Sequence, residues 1–194
     1  MGITIHYRGT LSDLSQLSSL TTELQDIAQS MQWQWSTEKS SDGFASLARD
    51  FNISGISLMP HTHCEPLFFF SNQDGELVDP RILALNPGKT HHSWISIKTQ
   101  FAPPQTHMWI CGLLRYLKKN YLPDLEVVDE GGYWDTQKQE VLDSRLQLIA
   151  RTMDVMEEEL SSHESQDNHL YTPEEIVHIL EKLFRDKLGP DRKR

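Results

Sequence analysis

Apolar residues fall along this chain with two distinct periods, and the switches between them mark out the elements. Ile3, Ile5 and Tyr7 alternate with Thr4 and His6, the two-residue period of a strand with one buried face. Leu14, Leu17, Leu20, Leu24, Ile27 and Met31 then recur at three- and four-residue steps. That spacing predicts a helix from about Asp13 to Met31, with Ser12 placed to cap it. Trp33 and Trp35 alternate as a short strand, and the Ser-rich segment from Ser36 to Gly43 reads as a solvated loop.

From Ile53 to Phe101 the pattern is mostly that of strands. Ile56 to Met59 and Leu67 to Ser71 are two of them, and Asn72-Gln73-Asp74-Gly75 is a hairpin turn after the second. Phe68, Phe69 and Phe70 in succession predict a strand covered on both faces. Asn86-Pro87-Gly88-Lys89 reads as a turn leading into a strand over His92 to Phe101, in which Ile95, Ile97 and Thr99 share the buried face.

Pro103 and Pro104 open a second helix, whose inner face carries Ile110, Leu113, Leu114, Leu117 and Tyr121, and Pro123 ends it. A short strand over Leu125 to Val128 is broken by Asp129-Glu130-Gly131-Gly132. A long helix follows from about Thr136 to Ser161, with Leu142, Leu146, Ile149, Met153, Met156 and Leu160 forming a narrow heptad seam. Beyond an acidic linker, Thr172-Pro173-Glu174-Glu175 is a capping box. It opens a helix with Ile176, Leu180, Leu183 and Phe184 on its apolar face.

This order of elements predicts an α+β fold: a mostly antiparallel sheet, two long helices on one face and a C-terminal helical extension. The expected division is an α+β core over residues 1–134 and a helical extension over 135–194. In the extension the helices span about 136–161 and 173–188, with the linker over 162–171. Strict βαβ alternation and a glycine-rich phosphate loop are both absent from the pattern.

Composition narrows the function classes. A hydrophobic content of 38% and a charged content of 24% over 194 residues suit a globular chain. The net charge of −10 excludes a general nucleic-acid binder, because phosphate contacts need a basic surface. No apolar run approaches the roughly 20 residues of a membrane span, and the amino terminus carries no signal-peptide pattern. With two cysteines and no disulfide framework, the expected location is the cytoplasm.

Candidate chemistry concentrates at Met59 to Glu65. On a strand, His61, His63 and Glu65 share one face; these three, or His61 and His63 with His91 or His92 from a neighbouring strand, would give a divalent metal three ligands and an open position. Gly55, five intervening residues and His61-Thr62-His63 resemble the opening of the cupin metal motif over nine residues. Where that motif places its glutamate this chain has Leu67 and Phe68, and the chain is assigned to no family. Asp129 and Glu130 are the candidate catalytic bases, and Tyr133 and Trp134 the candidate ligand-binding aromatics. The competing reading of that second cluster is a strand-to-helix turn, with glycine supplying positive φ and Trp134 closing the core. Cys111 reads as a buried small hydrophobe, and Trp33, Trp35, Trp94 and Trp109 as core.

The functional expectation is a non-catalytic domain that binds a protein or small molecule, as part of an oligomer, with no nucleic-acid or membrane partner. The alternative is a metal-dependent hydrolase using His61, His63 and Glu65 as ligands and Asp129 or Glu130 as base.

Overall fold

Strand alternation at the amino terminus becomes β1 (Thr4–Arg8), in which Ile5 and Tyr7 are buried and the residues between them half-exposed. The computed structural model describes residues 2–41, 43–85, 94–164 and 172. Two compact units divide the chain, Met1–Asp143 and Ser144–Arg194.

In the first unit a 3-10 turn (Leu14–Gln16) leads into α1 (Leu17–Ser30). The 3-10 turn is capped by Asp13, whose carboxylate accepts from Ser15 N, and not by Ser12 as the sequence predicts. β2 (Gln34–Thr37) follows, so Ser36 and Thr37 are buried strand residues and not part of a solvated loop. Then come α2 (Gly43–Asp50), β3 (Ser54–Met59), β4 (Leu67–Ser71), β5 (Leu77–Val78) and α3 (Pro80–Leu85). The unit continues with β6 (Ile95–Lys98), α4 (Pro104–Asn120), β7 (Glu126–Asp129) and α5 (Tyr133–Thr136). The last helix among the described residues, α6 (Gln139–Glu164), starts at Gln139 where the pattern predicted about Thr136.

The fold is α+β, and every strand pairing among the described residues is antiparallel. Two hydrogen-bonded sheets form, one in the order β6-β1-β7 and the other β2-β3-β4-β5. A bridge between Thr10 and Glu76, with Leu77 N donating to Gly9 O, ties the end of β1 to β5.

The three phenylalanines of β4 are fully buried, as the uninterrupted apolar run predicts. Phe44 of α2 meets Phe68 edge-on at 5.0 Å, and the Arg81 guanidinium of α3 lies 4.7 Å over the same ring. Neither α2 nor α3 is among the expected elements. Both are too short to carry a readable period, and contacts on β4 hold them. Cation–π stacking, not burial in an apolar core, accounts for Trp94, which sits under Arg8 at 4.6 Å. Trp35 and Trp109 are exposed, so of the tryptophans assigned to the core Trp33 is the one found buried.

In the second unit, the part of α6 that carries the expected seam has Thr152 buried and Met153 exposed. No helix among the described residues is long and apolar enough to cross a membrane. The turn expected at Asn86-Pro87-Gly88-Lys89, His91, His92 and the helix expected at 173–188 lie outside the described residues.

Candidate functional site: a buried histidine, cysteine and aspartate cluster

α4 is built to present one apolar face inward, and two polar side chains sit on that face. His107 and Cys111 are four residues apart, one helical turn, and both are buried. Opposite them β7 ends in Asp129, also buried. The His107 nitrogen, the Cys111 sulfur and an Asp129 oxygen all lie within 4.8 Å of one another.

The backbone around Asp129 is folded to reach this arrangement. Asp129 Oδ1 accepts from Gly131 N at 2.6 Å and Oδ2 from Trp134 N at 2.8 Å, so the carboxylate organises the turn into α5. Gly132 takes φ +73°, the left-handed conformation that glycine adopts without strain. A Cβ on Gly131 would lie 2.9 Å from both His107 Cε1 and Asp129 Oδ1, so only glycine lets the turn close on the cluster. Burial acts to raise the Asp129 carboxyl, but the His107 ring beside it and the N–H groups of Trp134 and Gly131 hold it below the usual range. Burial, helped by the Asp129 charge, pushes the Cys111 thiol well up.

His107 Nδ1 lies 2.8 Å from Thr99 Oγ1, and Thr99 Oγ1 lies 3.3 Å from Ile3 O. Nε2 stands 3.1 Å from Asp129 Oδ1, yet the approach does not meet hydrogen-bond geometry and Nε2 has no hydrogen-bond partner among the described residues.

The residues singled out from the sequence are distributed as follows. His61, Thr62, His63 and Glu65 form the turn between β3 and β4, not a strand, because Pro60 and Pro66 flank a change of direction. The His61 and His63 rings meet edge-on at 5.4 Å, and His61 Nδ1 accepts from His63 N at 3.1 Å. Glu65 turns the other way: its N–H reaches Lys98 O and its carboxylate accepts from Lys98 N at 2.8 Å, which pairs it with the end of β6. Glu130 accepts from Thr4 N at 2.9 Å and lies 3.9 Å from His6 Nε2, beside β1 and away from Asp129's partners. Tyr133 and Trp134 are half-buried against the core, and Arg115 stacks over Trp134 at 4.4 Å.

Asp129 is thus the one sequence candidate that joins the cluster. His107 escapes sequence reading although the His-x-x-x-Cys spacing on α4 was there to find. A reading of Cys111 as a small hydrophobe gives its neighbour one turn back no role. A surface cleft of about 400 Å³ at the end of β1 is lined by groups already engaged. Arg8 pairs with Glu126 at 2.8 Å, and Asp124 accepts from Thr10 N at 2.9 Å. No family model, no curated protein and no solved structure matches this chain.

Proposed function

We propose that this chain is a non-catalytic interaction domain that pairs through the outer face of α4, and that the partner is a second copy of itself. The observation that carries this reading is Gly112. It lies in the middle of α4, and a Cβ built there would meet nothing within 4 Å. Glycine inside a helix costs about 1 kcal/mol relative to alanine, and no contact within the described chain requires it. Close approach of another surface does.

The residues around Gly112 support that approach. Gln105, Trp109, Gly112, Tyr116 and Asn120 lie at helical spacing on the exposed side of α4. Trp109 is 48% exposed and Tyr116 40%. None of these five side chains is itself charged, although Tyr116 Oη donates to the Glu23 carboxylate and exposed Lys119 falls on the same side of the helix. The five-residue stripe is thus uncharged in a chain whose net charge is −10. Its chemistry is also nearly symmetric about Gly112, reading amide, aromatic, glycine, aromatic, amide. An antiparallel copy would set Trp109 against Tyr116 of the partner twice over, the self-complementarity of a two-fold interface. Two neighbouring cations are engaged within the chain: Arg115 stacks on Trp134, and Lys118 Nζ donates to Leu125 O at 2.7 Å.

The metal-dependent hydrolase alternative would rest on His61 and His63, whose rings adjoin, and it would need a third ligand other than Glu65. Sedimentation of the full chain over a concentration series tests the proposal. The expected result is a dimer that Gly112→Arg converts to a monomer with unchanged circular dichroism. A wild-type chain that is monomeric throughout, or a dimer that survives Gly112→Arg, would overturn it.

A further inference from the structure

The inner face of α4 poses a separate chemical problem, independent of what docks on the outer one. Thr99 Oγ1 carries a single proton. When that proton goes to Ile3 O, 3.3 Å away, the hydroxyl accepts from His107 Nδ1–H. With one proton placed on Nδ1, the remaining ring nitrogen Nε2 stands 3.1 Å from an Asp129 oxygen, with both groups buried. Two lone pairs so placed need a positive centre between them. A proton serves poorly, because Nε2 is not aimed at Oδ1 and makes no hydrogen bond.

An ion shared by both atoms has the opposite geometric requirement. Ligands of a tetrahedral ion stand off each other's axes, with N···O separations of about 3.3 Å for metal–ligand bonds near 2.0–2.1 Å. The off-line approach of Nε2 and Oδ1 is of that kind, and Cys111 Sγ stands within 4.8 Å as a third donor. We infer that His107 Nε2, Cys111 Sγ and Asp129 Oδ1 hold one Zn(II)-type ion that fastens α4 to the turn after β7. The nitrogen, thiolate and carboxylate set selects a borderline-soft divalent metal over Mg(II) or Ca(II). As the metal–sulfur bond forms, the thiol proton leaves to solvent. All three donors are buried, so the ion sits inside the packed core, and the fourth position of its tetrahedron falls to a water.

The test is metal analysis of the full chain purified without chelator, followed by Co(II) exchange. Stoichiometric zinc is expected, together with a near-ultraviolet thiolate-to-Co(II) charge-transfer band in the exchanged wild-type protein. Cys111→Ser should abolish the band and His107→Ala should lose the metal. The double variant His61→Ala, His63→Ala should keep both. The wild-type cobalt spectrum stands as evidence even where a core variant fails to fold. Wild-type protein that neither contains zinc nor binds added Zn(II) or Co(II) would overturn the inference, leaving His107 and Asp129 as a metal-free buried pair. Binding without the thiolate band, or binding lost in the double variant, would overturn it equally by placing the ion on the β3–β4 turn.

Discussion

The Tyr7 hydroxyl and the Phe68 backbone are joined twice: Oη donates to Phe68 O and accepts from Phe68 N, each at 2.9 Å. One side chain on β1 therefore serves both polar backbone groups of a residue near the start of β4, a strand of the other sheet. Tyr7 and Phe68 are fully buried, so no water replaces these bonds, and burial pushes the phenol far above its ordinary pKa.

Tyr7→Phe keeps the ring and removes the hydroxyl. It leaves a buried N–H and a buried C=O without partners, at roughly 1–3 kcal/mol for each unsatisfied group. Chemical denaturation should show a lower midpoint with an unchanged slope. An unchanged midpoint would show that the hydroxyl does not couple the sheets.

Gly55 in β3 takes φ +146°, and a Cβ there would stand 2.0 Å from Phe69 O and 2.8 Å from Phe70 Cα. Both obstacles are backbone of a paired strand and cannot swing aside. Gly55→Ala is expected to destabilise by roughly 3 kcal/mol or more, combining φ strain with displacement of β4. A thermal melt within a degree or two of wild type would contradict the placement of β3 on β4.

Asp79 is buried and its carboxylate holds Arg81 at 2.7 Å while accepting from Arg81 N at 2.8 Å at the start of α3. Arg81→Gln strips the charge partner from a buried carboxylate and the cation from the face of Phe68. Because Arg81 is 34% exposed, solvent screens part of the effect, and a loss of roughly 1–3 kcal/mol is expected. Asp79→Asn in the same background should recover part of it, since the second change removes the unpaired charge. Failure of the double variant to recover would place the loss in packing alone.

The Asp13 carboxyl lies below its ordinary value of 3.8 because Ser15 donates to it from both its side chain and its N–H. A carboxyl lowered on folding contributes stability that is present above the unfolded pKa and lost as pH falls through the folded one. Asp13→Ala should therefore melt below wild type at pH 7, and the gap should close as acidification takes the carboxyl through its lowered folded-state range. A gap independent of pH would assign the capping effect to something other than the carboxylate.

Much of the fold is legible because its longer elements carry their own period. α1 and α4 follow from leucine spacing, and β4 with its turn follows from three phenylalanines ahead of Asn72-Gln73-Asp74-Gly75. Gly75 indeed takes φ +86° there. α2 and α3 are not legible, since eight and six residues hold too little pattern, and contacts to Phe68 from Phe44 and Arg81 stabilise them. Trp35 and Trp109 show the same limit. A hydrophobic side chain is inside only if something covers it, and composition does not say what does.

The site divides along the same line. Spacing along the sequence puts His107 and Cys111 on one helical face, and it put Asp129 at the break after a strand over Leu125 to Val128, where the structure carries the strand on to Asp129 itself. It likewise placed His61, His63 and Glu65 close together along the chain, and on a strand they would have faced one way. Only the tertiary structure decided that this run is a turn, with Glu65 drawn off to Lys98 and the two histidines left side by side. Only it set Asp129 against α4, across 22 residues of chain from His107, through packing of the β7 turn on Gly131. Sequence spacing governs which side chains lie on one face of an element; which faces meet is a property of how the elements pack.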